Sequence, residues 1–545
     1  MVNGFGLSVA LFLFGIIIFI CVLLNNASSR RGVPMLLAFI LFGIVCGNIG
    51  SIPIYLDDSS FAEKVCTVAL VFIMFYGGFG TSWKSARSVA VESGLLATAG
   101  VFLTALVTGL FCRFVLNWAW AESLLLGAVL GSTDAASVFS ILRSNKLGLK
   151  NNTAPLLEME SGSNDPAAYM LTAVMVSIVN GGASASHVVW MVLAQIGLGT
   201  IFGLLIAQAG VVLMRKLSFP TSGFDSLMVL AIAIASYSIP DLLGGNGYLS
   251  AYIVGLVMGN NSFPSRKKLV AFFDGITGLM QMVIFFILGL LARPALLWKA
   301  LLPALAISAA LLLISRPIAV ASILAPFRKY SARQQGLINF AGLRGASSIV
   351  FAIVAITRCV NLEHDIFSIV FCVVLISIGV EGSLIPWAAR KLGMTDNGTD
   401  VMKTFNDFAE ETTVNFSWVM VAEGDHWDGL ALKDAHLPKG MLVCRITRPD
   451  KENPSVKHRF TPNGDTVMEA GDIIILCTQS YSSDKELHIL EIEIDKGSEW
   501  IGQSLEQYRL SNTGQILTVL RNGSPIIPNG ATTLMEGDTL FCHKD

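Results

Sequence analysis

The sequence predicts a polytopic, all-α membrane domain of about thirteen spans, followed by a small α+β domain in water. Three observations carry that class. Of the 545 residues, 53% are hydrophobic and 14% charged, whereas a soluble domain carries about 25% charged residues. Apolar runs long enough to cross a bilayer recur as far as about Leu392. Beyond about Asn397 the pattern switches to short β-like runs such as "MLVCRITR" and "DIIILCTQ".

Spans are expected near residues 6–24, 34–49, 62–79, 89–114, 121–142, 155–179, 187–213, 224–240, 246–260, 272–292, 297–325, 334–357 and 366–389. The first has no basic leader, so it reads as a span and not a cleaved signal. Loop charge orients the set. Arg30, Arg31, Lys84, Arg87, Arg143, Lys146, Lys150, Arg215, Lys216, Arg266, Lys267, Lys268, Arg328, Lys329, Arg333, Arg390 and Lys391 fall in alternate loops on one side. The other side holds only Lys64, Arg113, Arg293, Lys299 and Arg358. The basic side is expected to be cytoplasmic, with the N-terminus outside and the tail inside. Basic residues (37) nearly balance acidic ones (39), so no nucleic-acid partner is implied. The cysteines are scattered without zinc spacing or a disulfide framework, and those in the tail, Cys444, Cys477 and Cys542, suit a reducing compartment.

The tail repeats internally. Trp427, Gly429, Leu432 and Arg448 recur at one fixed offset as Trp500, Gly502, Leu505 and Arg521. "PNGDTVMEAGD" from Pro462 returns as "PNGATTLMEGD" from Pro528. The expected domains are therefore a membrane domain over 1–395, a first module over 402–485 and a second, diverged module over 486–545. The Pro-Asn-Gly and Gly-Asp pairs read as turn chemistry. No G-x-G-x-x-G loop marks a nucleotide site.

Ionisable residues inside spans are rare and face a cavity or one another. In the fifth span, "LGAVLGSTDAASVF" sets Gly131, Ser132, Thr133 and Asp134 in an apolar helix. Such residues weaken a helix, and unwinding at mid-membrane would free carbonyls beside Asp134 for a cation. The blander reading is a kink with Asp134 capping a broken half-helix. The sixth span opens "NNTAPLLEMESGSNDP". Asn151, Asn152 or Thr153 is expected to cap it, with Glu158 in the first turn at the positive helix end. Glu160 and Asn164 share one face, and Ser161 and Asp165 the next. Asp165 is the deepest acid, about two turns in. Ser161, Asp165, Thr133 and Asp134 can converge as an oxygen-only site for a monovalent cation, with no His or Cys nearby to favour a softer metal.

The twelfth span, "INFAGLRGASSIVFAIV", carries Arg344. A lone arginine there is costly, so it is expected to pair with an acid. Glu160 is the expected partner, because Asp165 and Asp134 are better placed for transport. Glu381, in "IGVEGSL" of the thirteenth span, either pairs with Arg316 or lines the cytoplasmic funnel.

These motifs resemble a known family. "LLEMESGSNDP" is similar to the "LLEGESLFNDG" signature of NhaP-type sodium or potassium/proton antiporters, in the cation:proton antiporter-1 family. "GSTDAAS" resembles their "TDP" motif, and "GLRGASS" their Gly-Leu-Arg-Gly motif, in the same order. The resemblance covers roughly 1–395, and the tail resembles the TrkA-C regulatory domain of potassium transporters, followed by a diverged copy. It implies an NhaA/NhaP-like fold of inverted repeats with unwound crossing helices. It further implies a homodimer with an elevator-like core motion, in the inner membrane of a Gram-negative bacterium. By the same resemblance, Asp165 is the ion- and proton-binding carboxylate and Asn164 braces the unwound site. Thr133, Asp134 and Ser161 help ligate the cation, and Glu160 pairs with Arg344. This sequence departs from the family at Ala135, Gly162-Ser163 and Pro166.

The expected activity is exchange of potassium for protons, with sodium and rubidium as further candidate cations. Asp165 would hold a proton or a cation, never both. A small ligand of the tail is a further expected partner. No cofactor or enzymatic centre is expected, and no metal beyond the transported cation. Two rivals stand beside this reading. A channel gated by the tail would need a "TVGYG"-like filter, which "YGGFG" at Tyr76 matches poorly. An exchanger of anionic metabolites would need midplane cations, and Arg344 is the clear one.

Overall fold

A computed structural model of the chain describes residues 8, 12, 15–24, 35–48, 59–145, 147–181, 184–217, 223–261, 266–359 and 362–396. In the tail it describes 414–422, 424–425, 427–435, 437, 441–450, 457–479, 489–494, 498, 500–505, 515–521, 524–526 and 532–543. Arg30, Arg31, Lys146, the boundary at Asn397, and Pro528, Asn529 and Gly530 of the repeat lie outside the described residues.

The expected spans are helices. They run as α1 (Gly15–Leu24), α2 (Met35–Asn48), α3 (Ser59–Gly80), α4 (Ala90–Phe114), α5 (Trp120–Val129), α6 (Ala135–Ser144) and α7 (Thr153–Val179). Next come α8 (Ala185–Lys216), α9 (Phe224–Leu242), α10 (Gly247–Gly259), α11 (Arg266–Leu291), α12 (Pro294–Leu324), α13 (Ala332–Phe340), α14 (Ala346–Arg358) and α15 (Ile366–Lys391). Seven described helices are long and apolar enough to cross a membrane by length and composition. The rest fall short for local reasons. The α5/α6 and α13/α14 pairs are broken helices, and α7 is long but carries Glu158, Glu160 and Asp165.

The helices pack as two bundles. In one, α3 packs on α10 and α11, α8 and α9 on α10, and α2 on α11. In the other, α5 packs on α4 and α7, and α12 and α14 on α15. We term the first the scaffold and the second the core bundle. The core bundle contains one three-helix unit twice. A helix with a π turn (Leu96–Gly100 in α4, Leu311–Ser315 in α12) precedes a broken helix, then a long one. Four helices, α8 to α11, lie between the two three-helix units, so corresponding helices run in opposite senses, the inverted repeat common to transporters. A two-residue bridge of β1 (Gly148–Leu149) with β2 (Thr395–Asp396) ties the start of α7 to the end of α15.

In the tail, β3 (Val414–Met420), β4 (Met441–Pro449), β5 (Lys457–Phe460) and β6 (Ile473–Gln479) form a sheet in the order β3-β6-β4-β5. The strands β7 (Ile489–Glu493), β8 (Gln515–Arg521), β9 (Ser524–Ile526) and β10 (Thr539–His543) repeat that order as β7-β10-β8-β9. The sequence repeat is therefore a structural one. Gly429 and Gly502 both take positive φ, 78° and 83°, and donate to Met468 and Leu534 carbonyls at 2.8 Å. Trp427 and Trp500 each pack in their module's core.

The repeated arginines clamp the repeated aspartates. Arg448 holds the fully buried Asp472 through Nε and Nη2, both at 2.7 Å. Arg521 holds Asp538 at 2.8 and 2.7 Å. Burial works to raise the Asp538 carboxyl, but the Arg521 guanidinium and the Met535 N–H hold it below the ordinary range. That contribution to stability is present above the unfolded carboxylate pKa and is lost as pH falls through the depressed folded value. Replacing Arg448 with Ala leaves Asp472 buried and unpaired. A loss of about 3 kcal/mol is expected in the first module, seen as faster limited proteolysis of the tail in the full chain.

Candidate ion-binding site

Two helices break where they cross. Residues 130–134 leave the helical path between α5 and α6, and residues 341–345 do so between α13 and α14. The Asp134 N–H donates to the Leu343 carbonyl at 2.8 Å. Arg344 Nη1 donates to the Ser132 carbonyl at 2.6 Å. Positive ends of α6 and α14 and negative ends of α5 and α13 meet here, each with backbone groups free of helical partners. Gly345 makes the approach feasible, since a Cβ there would overlap the Asp134 carboxylate. Gly345→Ala is expected to push the two unwound segments apart and remove transport with the protein still inserted. Cation-dependent proton flux beside a folding-yield measurement checks this.

Asp165 lies about 18 Å along the 27-residue α7. It is more than three turns in, deeper than the two the sequence suggested, and is 5% exposed. The Ser132 hydroxyl donates to its Oδ1. Ser132 Oγ also lies 3.3 Å from Ser347 Oγ, at the head of α14. Ser161 Oγ donates to the Thr133 carbonyl and accepts from the Ala135 N–H, both at 2.8 Å. Asn164 Nδ2 donates to Thr133 Oγ1 at 2.6 Å. Ser161 and Asn164 thus brace the unwound segment against α7. Pro166 has no N–H, so the Gly162 carbonyl loses its helical partner, and the Pro166 carbonyl accepts from Asn246 Nδ2 at 2.9 Å.

Four expected residues therefore converge: Thr133, Ser161, Asn164 and Asp165. Asp134 is adjacent, and its carboxylate is engaged by Ser137. Its Oδ1 accepts from the Ser137 N–H at 3.2 Å and its Oδ2 from the Ser137 hydroxyl at 2.5 Å. That is the capping geometry of a half-helix start, the blander of the two sequence readings. Glu158 lies in the second turn of α7, because the first turn carries no acid. Asn152 stands at the N-cap with φ 54° and gives no side-chain cap.

The expected Glu160–Arg344 pair does not form. Glu160 lies against Arg316 instead, at 2.6 Å, with both side chains buried. Arg344 is drawn to the Ser132 carbonyl, where the negative end of α5 is left open by the break. The Glu160–Arg316 pair is held by proximity of charge, as neither Glu160 oxygen nor Arg316 Nη2 has a well-directed hydrogen bond among the described residues. Glu381 does not pair with Arg316 among the described residues. It accepts from Ser377 Oγ at 2.9 Å, and Ser377 accepts from the Arg344 N–H at 3.1 Å. Arg316, Asn339, Arg344, Ser377 and Glu381 line one small cavity behind the crossing. Elsewhere, Glu122, Glu363 and His364 bring ligand atoms within 4.8 Å of one another. Glu122 is already engaged there by the Glu363 N–H and by His364 Nδ1 at 2.6 Å.

Residues 15–391 match the sodium/hydrogen exchanger transmembrane family. The chain belongs to that family. This exchanger also matches the TrkA-C domain twice, at 416–483 and 489–541. It is 34% identical over 470 residues, 85% of this chain and 80% of the other, to the K(+)/H(+) antiporter NhaP2 of Shewanella sp. (strain MR-4). It is 37% identical over 391 residues, 71% of this chain and 67% of the other, to the K(+)/H(+) antiporter NhaP of Alkalimonas amylolytica. Its fold is similar to that of the sodium proton antiporter MjNhaP1 from Methanocaldococcus jannaschii. The TM-score is 0.61 at 21% identity, over 71% of this chain and 99% of that one.

Three contacts at this crossing were not assigned from the sequence. The Ser132 hydroxyl donates to Asp165 with Ser347 beside it, and Arg316 is the partner of Glu160. The serines were visible in "GSTD" and "GASS", but which of several hydroxyls faces the carboxylate depends on how each helix breaks.

Proposed function

We propose that this exchanger carries potassium against protons through one carboxylate, Asp165. The observation that carries the reading is the neighbourhood of that group. Asp165 is buried midway along α7 and, among the described residues, is met by hydroxyls. The nearby arginines are engaged elsewhere, Arg344 by the Ser132 carbonyl and Arg316 by Glu160. A bare charge at this depth is costly, so the site is neutral with either a proton or a monovalent cation bound. Hydroxyl and carbonyl oxygens suit an alkali cation. Reorientation only when neutralised gives an electroneutral exchange of one ion for the other. Potassium is favoured by the relatives' names, and sodium and rubidium fit the same oxygen chemistry.

The proposed setting is a bacterial inner membrane, with the basic loops and the tail in the cytoplasm and the N-terminus outside. The proposed assembly is a homodimer. The membrane domain spans 1–395, and the modules at 402–485 and 486–545 bind a small regulatory ligand.

Everted vesicles carrying a pH dye test the activity: KCl should dissipate an acid interior and choline chloride should not. The pH series is more specific. Proton and cation compete for one carboxylate, so the apparent KM for potassium should rise as pH falls, with the maximal rate little changed. A KM independent of pH would sink the shared-site reading.

A further inference from the structure

We infer that Tyr169, Phe351 and Tyr248, latched by the Glu63–Arg358 ion pair, form the seal that closes the ion site toward the Arg358 end of the helices, and that this seal opens in every transport cycle. The inference rests on the exchange function proposed above.

The positions come from helix spacing. Tyr169 is one turn beyond Asp165 on the same face of α7, and Phe351 is one turn beyond Ser347 on α14. Both steps lead the same way, because Asn180, at the end of α7, donates to the carbonyl of Arg358, at the end of α14, at 2.9 Å. The Tyr169 ring centre lies 5.9 Å from that of Phe351 and 4.7 Å from that of Tyr248, edge to face. Tyr248 in turn lies 5.0 Å from Tyr237. Tyr248 and Phe351 are each 1% exposed. Directly above the ion site on this side, the path is filled with aromatic rings.

On the other side of Asp165, the residues Ser161, Gly162, Ser163 and Asp134 all keep partial exposure. There the scaffold's Tyr252 packs against Gly162 of α7, and among the described residues aromatic rings do not stack on one another as they do around Tyr169. The structure is therefore closed toward Arg358 and looser toward the basic loops.

The seal also joins the two bundles. Tyr169, Phe351 and Arg358 belong to the core bundle, and Tyr248, Tyr237, Glu63 and Asn246 to the scaffold. Arg358 donates to Glu63 through Nε at 2.9 Å and Nη2 at 2.8 Å. The Arg358 side chain is 53% exposed and that of Glu63 only 11%, so the pair sits at the outer margin of the ring cluster, with its carboxylate turned inward and its guanidinium reachable from water. An ion held at Asp165 can leave toward Arg358 only if these rings part.

The test uses full-length protein with native cysteines replaced, carrying Glu63→Cys and Arg358→Cys, in proteoliposomes. Before linking, potassium-driven proton flux by this variant tests the exchange reading itself. A short, reversible bis-methanethiosulfonate linker should then abolish flux, and a reductant should restore it. Undiminished flux in the linked protein overturns the seal. A second measurement decides the matter if the unlinked variant is inactive. Phe351→Cys should react slowly with an impermeant thiol reagent added on the Arg358 side, and several-fold faster when Glu63→Gln is added. Equal rates with and without Glu63→Gln also overturn it.

Discussion

Asp165→Asn is expected to abolish exchange while the protein still folds and inserts. The amide keeps the shape of the carboxylate and can still accept from the Ser132 hydroxyl at its remaining oxygen. It cannot take up a titratable proton, and it cannot cancel the charge of a bound cation. A cation without a counter-charge at this depth costs several kcal/mol, and each ~1.4 kcal/mol is about tenfold in rate. Flux should therefore fall at least about a hundredfold, with an unchanged gel-filtration profile and thermal midpoint. Residual transport by this variant would move proton carriage to Asp134 or Glu381, the other acids at the crossing.

The second large effect is expected at the Glu160–Arg316 pair. Removing either partner strands a buried charge, at a cost of about 3–5 kcal/mol. Glu160→Met and Arg316→Met should each lower folding yield sharply, and the double variant should recover much of it, because well-packed apolar groups replace a buried pair with little loss. Arg344→Met should instead be additive with Glu160→Met, since Arg344 serves the Ser132 carbonyl. A double-mutant cycle on thermal stability reads both couplings. Strong coupling of Glu160 to Arg344, with none to Arg316, would restore the pairing expected from sequence.

That pairing marks the limit of what the residues alone disclose. The length of the apolar runs located the spans, and the polar interruption at Gly131–Asp134 located one broken helix; the break around Arg344 was not read from the residues there, which gave only a buried charge in need of a partner. Four-residue spacing placed Ser161, Asn164 and Asp165 on neighbouring stripes of α7, as found. Partner choice was not legible, because it depends on helix rotation. The π turn at Leu311–Ser315 inserts an extra residue just before Arg316 and rotates the side chains beyond it, and no sequence signal announces it. Depth was misjudged although the helix start was legible: α7 begins at Thr153 with Asn152 at its cap, within the expected positions, and twelve residues from there to Asp165 make more than three turns, not two. The tail was more legible, because its two copies had to satisfy the same turns and the same buried aspartate.

The central claim is that proton and cation occupy one carboxylate in turn. Proton release on cation binding tests it most directly. Purified protein in weakly buffered solution, titrated with potassium, should release a proton for each cation bound over the pH range where Asp165 is protonated. Asp165→Asn should bind no cation and release none. Potassium binding by the wild type with no proton release, or release that persists in Asp165→Asn, would contradict the account.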